Sequence, residues 1–420
     1  MAAFRRPLQR RLLASAALAT AMTSLAACAG AGTSGTAGKD AVGTKPRKNV
    51  AAGECGSVPK IDPKDSSGAL ASLGSPVVEN FNGFTNPVEA SAWKDWKPSH
   101  DGPYKVALSW PPRNNAFLTE MYNAVKKTLE ASGNVTITKE LTPTSPSDVP
   151  GQLQQINQLI GDKPDLIITQ PIAPGPSAKV MDAAAKAGIP VVSAWNSSPT
   201  PSAVSVGLNN FLQAATTASK VVQAMDGKGD VLLVHGIPGI QQDADAMAGF
   251  KAVLKLCPDI KVAGEVTGAY VSATTKAAVL QFLSTHPAGV DGVLQAGAMG
   301  VGVINAFKQL GKPVPPLADI GSSRGSVAYA HQNASTHQEF GTSTPDAAIG
   351  VSIANVALKM LAGDGPKVNQ VITQPVYITN DNLDEIYQDG WDISNTANAA
   401  GKDDDFMSES YIAQFFTKSS

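Results

Sequence analysis

Few residues of this 420-residue chain have types and spacing suited to chemistry. The segment His235–Gly239 could form a turn that donates backbone N–H groups to an oxyanion, but no Gly-x-Ser-x-Gly sequence supplies a nucleophile. Asp243 and Asp245 lie in the first turn of a predicted helix, where acids act as caps or dipole partners, or here as ligand contacts. Gly297–Gly302 lacks the Gly-x-Gly-x-x-Gly spacing of dinucleotide sites. We therefore expect a binding protein without a cofactor, and not an enzyme.

The histidines and cysteines indicate a secreted protein without a metal site. The five His, at 100, 235, 286, 331 and 337, show no ligand spacing such as His-x-x-x-His. Cys55 and Cys257 form an even pair, which is more often bridged than free in an oxidising compartment. We predict a disulfide between them, with two unrelated cysteines as the alternative.

The first 28 residues have the order of a secretion signal. Four Arg precede the uncharged run Leu12–Ala21, and Leu-Ala-Ala-Cys follows at 25–28. This tetrapeptide resembles a bacterial lipobox, which implies that residues 1–27 are removed and that Cys28 is acylated. Residues 28–48 are rich in Gly, Ala, Ser and Thr and are expected to be a flexible tether. We therefore expect a lipid-anchored protein on the outer face of the bacterial cytoplasmic membrane.

The charge balance excludes some classes of partner. The chain has 33 Lys+Arg against 35 Asp+Glu, with no long run of like charge, so it has no basic field that would attract nucleic acid. Its one apolar stretch is short and N-terminal, which excludes a multi-span transporter. We expect a monomer.

Short β-branched runs alternate with helical patterns from Tyr104 onward, which predicts βαβ units and a parallel sheet. The order occurs twice. Tyr104 to Asp165 spans 61 residues and Gly229 to Asp291 spans 62. The predicted strands are 104–110, 135–141, 165–170 and 189–195 in the first half, and 230–235, 260–266, 292–295 and one near 317 in the second. The predicted helices are 117–132, 150–160 and 177–187, then 244–256, 274–284 and 299–310.

Two such halves predict an α/β fold with two doubly wound parallel-sheet lobes and a ligand cleft between them. Ligands of open parallel sheets bind at the carboxyl ends of the strands. The tip residues that we select as ligand-binding candidates are Trp110, Arg113, Asn114, Asn115, Gln170, Trp195 and Asn196 in the first lobe, and Asp243, Tyr270, Gln295 and Asp319 in the second. A Trp at a strand end could instead cap the core.

From Tyr104 to about residue 390 the sequence resembles the type I solute-binding proteins of ABC importers, in the ribose and galactose group. The resemblance rests on these segments: Asn114–Phe117, Pro164–Ile168, Ala187–Val192, Gly249–Phe250 and Leu310–Lys312. It implies a type I periplasmic-binding-protein fold whose lobes are joined by three crossovers, near 208–210, 341–344 and 374–380. The expected divisions are a signal peptide (1–27), a tether (28–48), an N-terminal strap (49–103), lobe 1 (104–208 and 345–376) and lobe 2 (209–344 and 377–415).

The resemblance transfers the ligand contacts only in part. Asn115 and Phe117 match sugar-binding positions, and Tyr270 keeps an aromatic residue. Trp195–Asn196 stands where the family usually has Asp-Arg, and Ala246 replaces its Arg. Aromatic faces, including Trp110, thus replace part of the polar network, and they can stack on the C–H faces of a sugar ring. We expect a cyclic sugar, a sugar alcohol or a sugar conjugate that is delivered to an ABC permease.

Two alternative functions remain open at this stage. A sensory lipoprotein would use the same fold to signal to a membrane receptor, and a planar ligand such as a nucleoside would use the same aromatic tips. A transcription regulator of this fold is excluded because residues 1–48 hold no basic helix-turn-helix. The strap lacks a long periodic element and is expected to pack on the body, with a disordered arm as the alternative.

Overall fold

A computed structural model describes residues 50–400 and 406–418. The predicted signal, the tether and Cys28 lie outside the described residues. Among the helices of those two ranges, none has the length and apolar character needed to cross a membrane.

Two six-stranded sheets form the framework and have the same strand order. The first sheet is parallel throughout, in the order β12(Gln370–Ile372), β5(Ala203–Gly207), β4(Val191–Ala194), β3(Leu166–Thr169), β1(Tyr104–Ser109), β2(Val135–Leu141). The second has the order β13(Tyr377–Thr379), β10(Glu339–Thr342), β9(Leu317–Asp319), β8(Gly292–Gln295), β6(Gly229–His235), β7(Ile260–Thr267). Only β13 is antiparallel to its neighbour. This arrangement confirms the predicted α/β class with two doubly wound lobes.

Helices cover both faces of each sheet. The first lobe carries α2(Ala116–Ala131), α3(Val149–Gly161), α4(Pro174–Lys186) and α10(Asp346–Leu361), and the second carries α5(Asn210–Ala224), α6(Gln241–Leu254), α7(Ser272–Thr285), α8(Gly300–Gln309) and α9(Arg324–Gln332). Short turns of helix complete the chain at α1(Ser75–Val78), α11(Leu383–Ile386) and α12(Glu409–Ile412), and β11(Gly365–Pro366) pairs with β14(Phe416–Thr417).

The internal repeat extends to individual hydrogen bonds. Asp165, just before β3, accepts the Lys105 backbone N–H at 2.7 Å, and Asp291, just before β8, accepts that of Asp230 at 2.8 Å. The first pair of strands in each half shifts register after its third residue, at Val106 and at Val231. Each acid joins neighbouring strands at their amino ends, opposite the cleft, so the carboxyl ends of the strands remain available for binding.

Three crossovers join the two lobes where the sequence predicts them. They run from β5 to α5, from β10 to α10 and from β12 to β13. Sequence patterning did not predict β5 and α5 themselves; α5 has an uninterrupted run of small residues at 214–219 instead of a narrow apolar stripe.

The C-terminal segment does not follow the predicted division between the lobes. We expected residues 377–415 to lie in the second lobe, but Phe406, Ile412 and Phe415 are buried in the first-lobe core and β14 pairs beside α10. The resemblance ends near residue 390, so it carried no information on this segment. Burial of these apolar side chains against α10 and the strap accounts for its position.

The strap packs on the body, as expected. Val77, Phe81 and Val88 are fully buried in the first-lobe core, although the strap contains only short helical turns. The structure joins Cys55 to Cys257, which attaches the beginning of the strap to the end of α6.

Candidate functional site

Trp195 and Phe117 form an aromatic pair at the tip of the first lobe. Trp195 follows β4 with a left-handed φ of 63°, which is rare for a bulky residue and concentrates at functional sites. Its ring lies edge-on to Phe117, with 5.1 Å between the ring centroids, and both side chains are half-buried. Asn115 caps α2 by accepting the Leu118 N–H at 2.9 Å, and this cap fixes the first turn that carries Phe117.

Trp110 takes the core-capping position and does not lie on an exposed tip. Its side chain is 1% exposed and packs against Tyr122, with 5.4 Å between the ring centroids. The Arg113 guanidinium lies 4.1 Å from the centroid of the same Tyr122 ring. The structure thus brings Trp110 and Arg113 to Tyr122, and Asn114 lies in the exposed loop beside them.

Buried polar atoms without partners collect where β1 and β3 end. Ser109 and Thr169 lie opposite each other in register, and Trp110 and Gln170 follow them. Within the described chain, the Ser109 and Thr169 hydroxyls, the Trp110 Nε1 and the Gln170 Oε1 have no hydrogen-bond partner. Each such group costs about 1–3 kcal/mol when it stays unpaired. The edge of the sheet is therefore suited to a polar ligand or bridging water, as a sugar site requires.

Tyr270 forms the corresponding tip of the second lobe. Ala269 and Tyr270 both have left-handed backbone conformations, with φ of 55° and 57°. The Tyr270 ring lies directly against Gly236, where a Cβ would come within 1.9 Å of the ring Cζ, so only glycine allows this approach. Burial raises the pKa of Tyr270, with a smaller contribution from the Asp243 charge, so its hydroxyl stays protonated.

Asp243 is a support for this tip and lies beneath its surface. It is 3% exposed and accepts the Gly236 backbone N–H at 2.8 Å and His235 Nδ1 at 2.9 Å. His235 Nε2 lies 2.8 Å from Glu265, which also pairs with Lys251 at 2.9 Å. Burial alone would lower the pKa of His235, but the hydrogen bonds to the two carboxylates outweigh it and raise that pKa.

Gln295 and Asp319 are also supports. Gln295 is fully buried, donates to the Asp319 carboxylate and accepts the Gly297 backbone N–H at 2.6 Å. Asp319, fully buried, accepts the Ser326 hydroxyl at 2.6 Å. Burial raises the pKa of Asp319 well above its usual range, and the neighbouring Glu339 adds to the shift. These two residues shape the tips after β8 and β9 from below.

Asn196 connects the two lobes. Its Nδ2 donates to the Pro171 carbonyl at 2.8 Å, and its Oδ1 accepts from Gln242 Nε2 at 2.5 Å across the cleft. Gln242 lies in the first turn of α6 and was not among the residues selected from the sequence. Nothing in its local sequence distinguishes it from Gln241.

The arrangement contains binding groups and no catalytic set. Among the described residues, no three His, Cys, Asp or Glu side chains are grouped as a metal site. What the tips share is aromatic surface over buried polar atoms, which suits a small ligand that has both C–H faces and hydroxyl groups.

Comparison with known proteins gives the same fold. The curated xylitol-binding protein of Mycolicibacterium smegmatis is 25% identical over 240 residues, which cover 57% of this chain and 68% of that protein. An ABC transporter solute-binding protein from Thermobispora bispora superposes with a TM-score of 0.56 at 25% identity, over 67% of this chain and 87% of the other. One from Bacillus halodurans, with bound myo-inositol, gives 0.58 at 18% identity, over 68% and 98%.

The family assignment rests on a match that covers most of both lobes. Residues 106–365, from β1 to β11, match the periplasmic binding protein domain. That range contains both sets of tips and two of the three crossovers, so the matched region includes the cleft. Families of this type bind solutes and do not catalyse reactions. The chain therefore belongs to the periplasmic binding protein family, as a solute-binding protein with the type I fold.

Proposed function

We propose that this protein captures a small sugar or sugar alcohol between its lobes and delivers it to an ABC permease. The observation that carries the proposal is the presence of aromatic tips in both lobes, Trp195 with Phe117 in one and Tyr270 in the other, together with unpartnered buried polar atoms at the ends of β1 and β3. Xylitol, the ligand named for the curated relative, has hydroxyls for the polar atoms and C–H groups for the rings. We further propose that Cys28 carries the lipid anchor and that the monomer works outside the cytoplasm.

Capture requires contacts that exist only when the lobes are closed. A ligand shifts the equilibrium between open and closed forms only by its greater affinity for the closed form. Trp195 and Tyr270 belong to different lobes, so a ligand that contacts both favours closure. The Asn196–Gln242 hydrogen bond adds a protein contact across the same cleft.

A thermal-shift screen tests the ligand class. The panel contains xylitol, myo-inositol, D-arabinose and D-allose, with adenosine as the planar alternative. A ligand at 100 times its dissociation constant should stabilise the protein by about 2.7 kcal/mol. Stabilisation by a polyol or sugar supports the proposal. Stabilisation by adenosine alone, or by none of the sugars and polyols, contradicts it.

Substitution of Trp195 tests the position of the site. Trp195→Ala should weaken binding of the stabilising sugar or polyol by about 30-fold, because a central aromatic anchor contributes about 2 kcal/mol or more. The matched control is Trp96→Ala, since Trp96 is a half-buried aromatic residue of the strap that packs against Trp93. Titration calorimetry measures both. Equal affinities for wild type and Trp195→Ala would place the site elsewhere.

A further inference from the structure

The strap is attached to the second lobe at its beginning. Its Cys55 is bonded to Cys257 at the end of α6. One residue later, the Gly56 carbonyl accepts from Ser219 Oγ at 2.6 Å and from Gln223 Nε2 at 2.7 Å, both on α5. Residues 55 and 56 are thus fixed near the C-terminal ends of α5 and α6.

The later part of the strap is attached to the first lobe. Glu89 N donates to Asn369 Oδ1 at 2.9 Å, and Asn369 N donates to the Glu89 carbonyl at 3.0 Å. The Trp93 indole donates to the Ser202 carbonyl at 2.8 Å, just before β5. Phe84 and Val88 lie in the first-lobe core. This part therefore moves with the first lobe, and the strap is a connection between the lobes in addition to the three crossovers.

A turn of the strap lies at the crossover from β5 to α5. Asn209, which caps α5, donates from Nδ2 to the carbonyls of Asn80 at 3.0 Å and Asn82 at 2.8 Å. Gly83 lies on the Phe211 ring so closely that a Cβ would come within 2.1 Å of it. The turn thereby fills the space where the two lobes meet.

Thr85, two residues after Gly83, reaches the cleft side of the second lobe. Thr85 Oγ1 accepts from Gln241 Nε2 at 3.2 Å, and the same Nε2 donates to the buried Asp245 at 2.6 Å. Gln242 makes the Asn196 contact already described. Two consecutive glutamines at the start of α6 therefore bind the first lobe twice, once through its own strand tip and once through the strap.

We propose that Thr85 is a positioning residue for closure: it lies between Phe84 and Val88, which are held in the first-lobe core, and it binds Gln241 when the lobes close. The proposal rests on the proposed function, in which closure holds the ligand. Because the strap precedes the family match at residue 106, this contact is an addition of this chain to the shared fold. Its consequence is that the strap helps to set the proportion of closed molecules, and through it the affinity for ligand.

The test measures the distance between the lobes in ligand-free protein. Spin labels on Lys127→Cys in α2 and Thr274→Cys in α7, both exposed positions, report open and closed populations by electron paramagnetic resonance. Thr85→Val keeps the shape of the side chain and removes its hydrogen bonds to Gln241 and Asp245 of the second lobe. It should lower the ratio of closed to open molecules by about 2-fold to 10-fold for each net hydrogen bond lost. The control Thr136→Val, on the exposed side of β2, should leave the ratio unchanged.

A double substitution separates the contact from other effects. Gln241→Met removes the first of these hydrogen bonds from the other side, so Thr85→Val combined with Gln241→Met should lower the ratio less than the product of the two single effects. Equal populations in wild type and Thr85→Val, or fully multiplicative effects, would overturn the proposal. Because no ligand is present, a shift in populations together with failure of every sugar to bind would reject the proposed function and leave this inference standing.

Discussion

Left-handed backbone at Trp195 and Tyr270 marks the two residues that sequence reasoning placed best. Their aromatic type and position at strand ends were visible in the sequence, and the structure leaves both half-buried at the tips. Gln295 and Asp319 end strands and Asp243 lies in the first turn of α6, but their polar atoms are satisfied by the backbone and by neighbours from other elements. Strand patterning gives the tip and its residue types. It does not show which of these side chains have their hydrogen bonds already satisfied by contacts that form only in the folded loops.

His235 links the support of the Tyr270 tip to pH. Its pKa is raised in the folded protein, so its paired, protonated form stabilises the fold below the unfolded pKa of about 6.5. This stabilisation is lost as the pH rises through the folded pKa. The free energy of unfolding of the wild type should therefore fall from pH 6 to pH 8 relative to that of His235→Asn, as measured by urea unfolding.

His331 offers a comparison for that measurement. It also pairs with a carboxylate, Asp384, but that carboxylate is exposed. His331→Asn should therefore change the free energy of unfolding at pH 6 less than His235→Asn does, because exposed pairs contribute little. A pH dependence that is the same in wild type and His235→Asn would contradict the role assigned to His235.

At the scale of elements, the repeat was predictable and the additions to it were not. Spacings of 61 and 62 residues between corresponding positions predicted two matching sheets, because each βαβ unit must bury a strand and its helix in the same way. The segment after Phe406 has no such repeat, and its burial against α10 depends on a surface that forms only in the folded first lobe. Local patterning contains no information about that surface.

The disulfide is an element-scale link whose removal should lower stability. It closes a loop with a sequence separation of 202 residues, and such a bridge restricts the unfolded chain. Cys55→Ser combined with Cys257→Ser should lower the free energy of unfolding by about 2–4 kcal/mol, a typical effect for a native disulfide. Urea unfolding of the oxidised protein and of the double variant measures the difference, and non-reduced peptide mapping checks the bridge. Two free thiols in the wild type would contradict the pairing.

At the scale of the whole molecule, the anchor and the closing lobes are separate features of one proposal. The proposed lipobox lies before the described residues, so its test is cellular. Cys28→Ala should move the protein from the membrane fraction to the unprocessed or released fraction, as detected by immunoblotting of fractions. Cys28→Ala protein that remains in the membrane fraction as the wild type does would contradict acylation at Cys28. Ligand binding should be unaffected in either case, because the cleft lies in residues 106–365.

The last prediction concerns closure of the whole molecule on its ligand. Asn196 and Gln242 lie in different lobes and share a hydrogen bond of 2.5 Å, so we expect separation of the lobes to break it. Asn196→Ala and Gln242→Ala should each weaken binding of the sugar or polyol found in the thermal-shift screen by about 2-fold to 10-fold, mainly through faster dissociation, because the closed form loses one hydrogen bond. The double variant should be little weaker than either single one.

Gln154 is an exposed glutamine of α3, so Gln154→Ala is the matched control and should bind the same ligand as the wild type does. Stopped-flow measurement of the dissociation rate separates this prediction from a direct ligand contact. If Asn196 touched the ligand itself, Asn196→Ala would weaken binding further in a Gln242→Ala background, and the two effects would multiply. Multiplying effects would therefore show that Asn196 contacts the ligand. If Asn196→Ala has no further effect in the Gln242→Ala background, Asn196 acts through its hydrogen bond to Gln242 between the lobes.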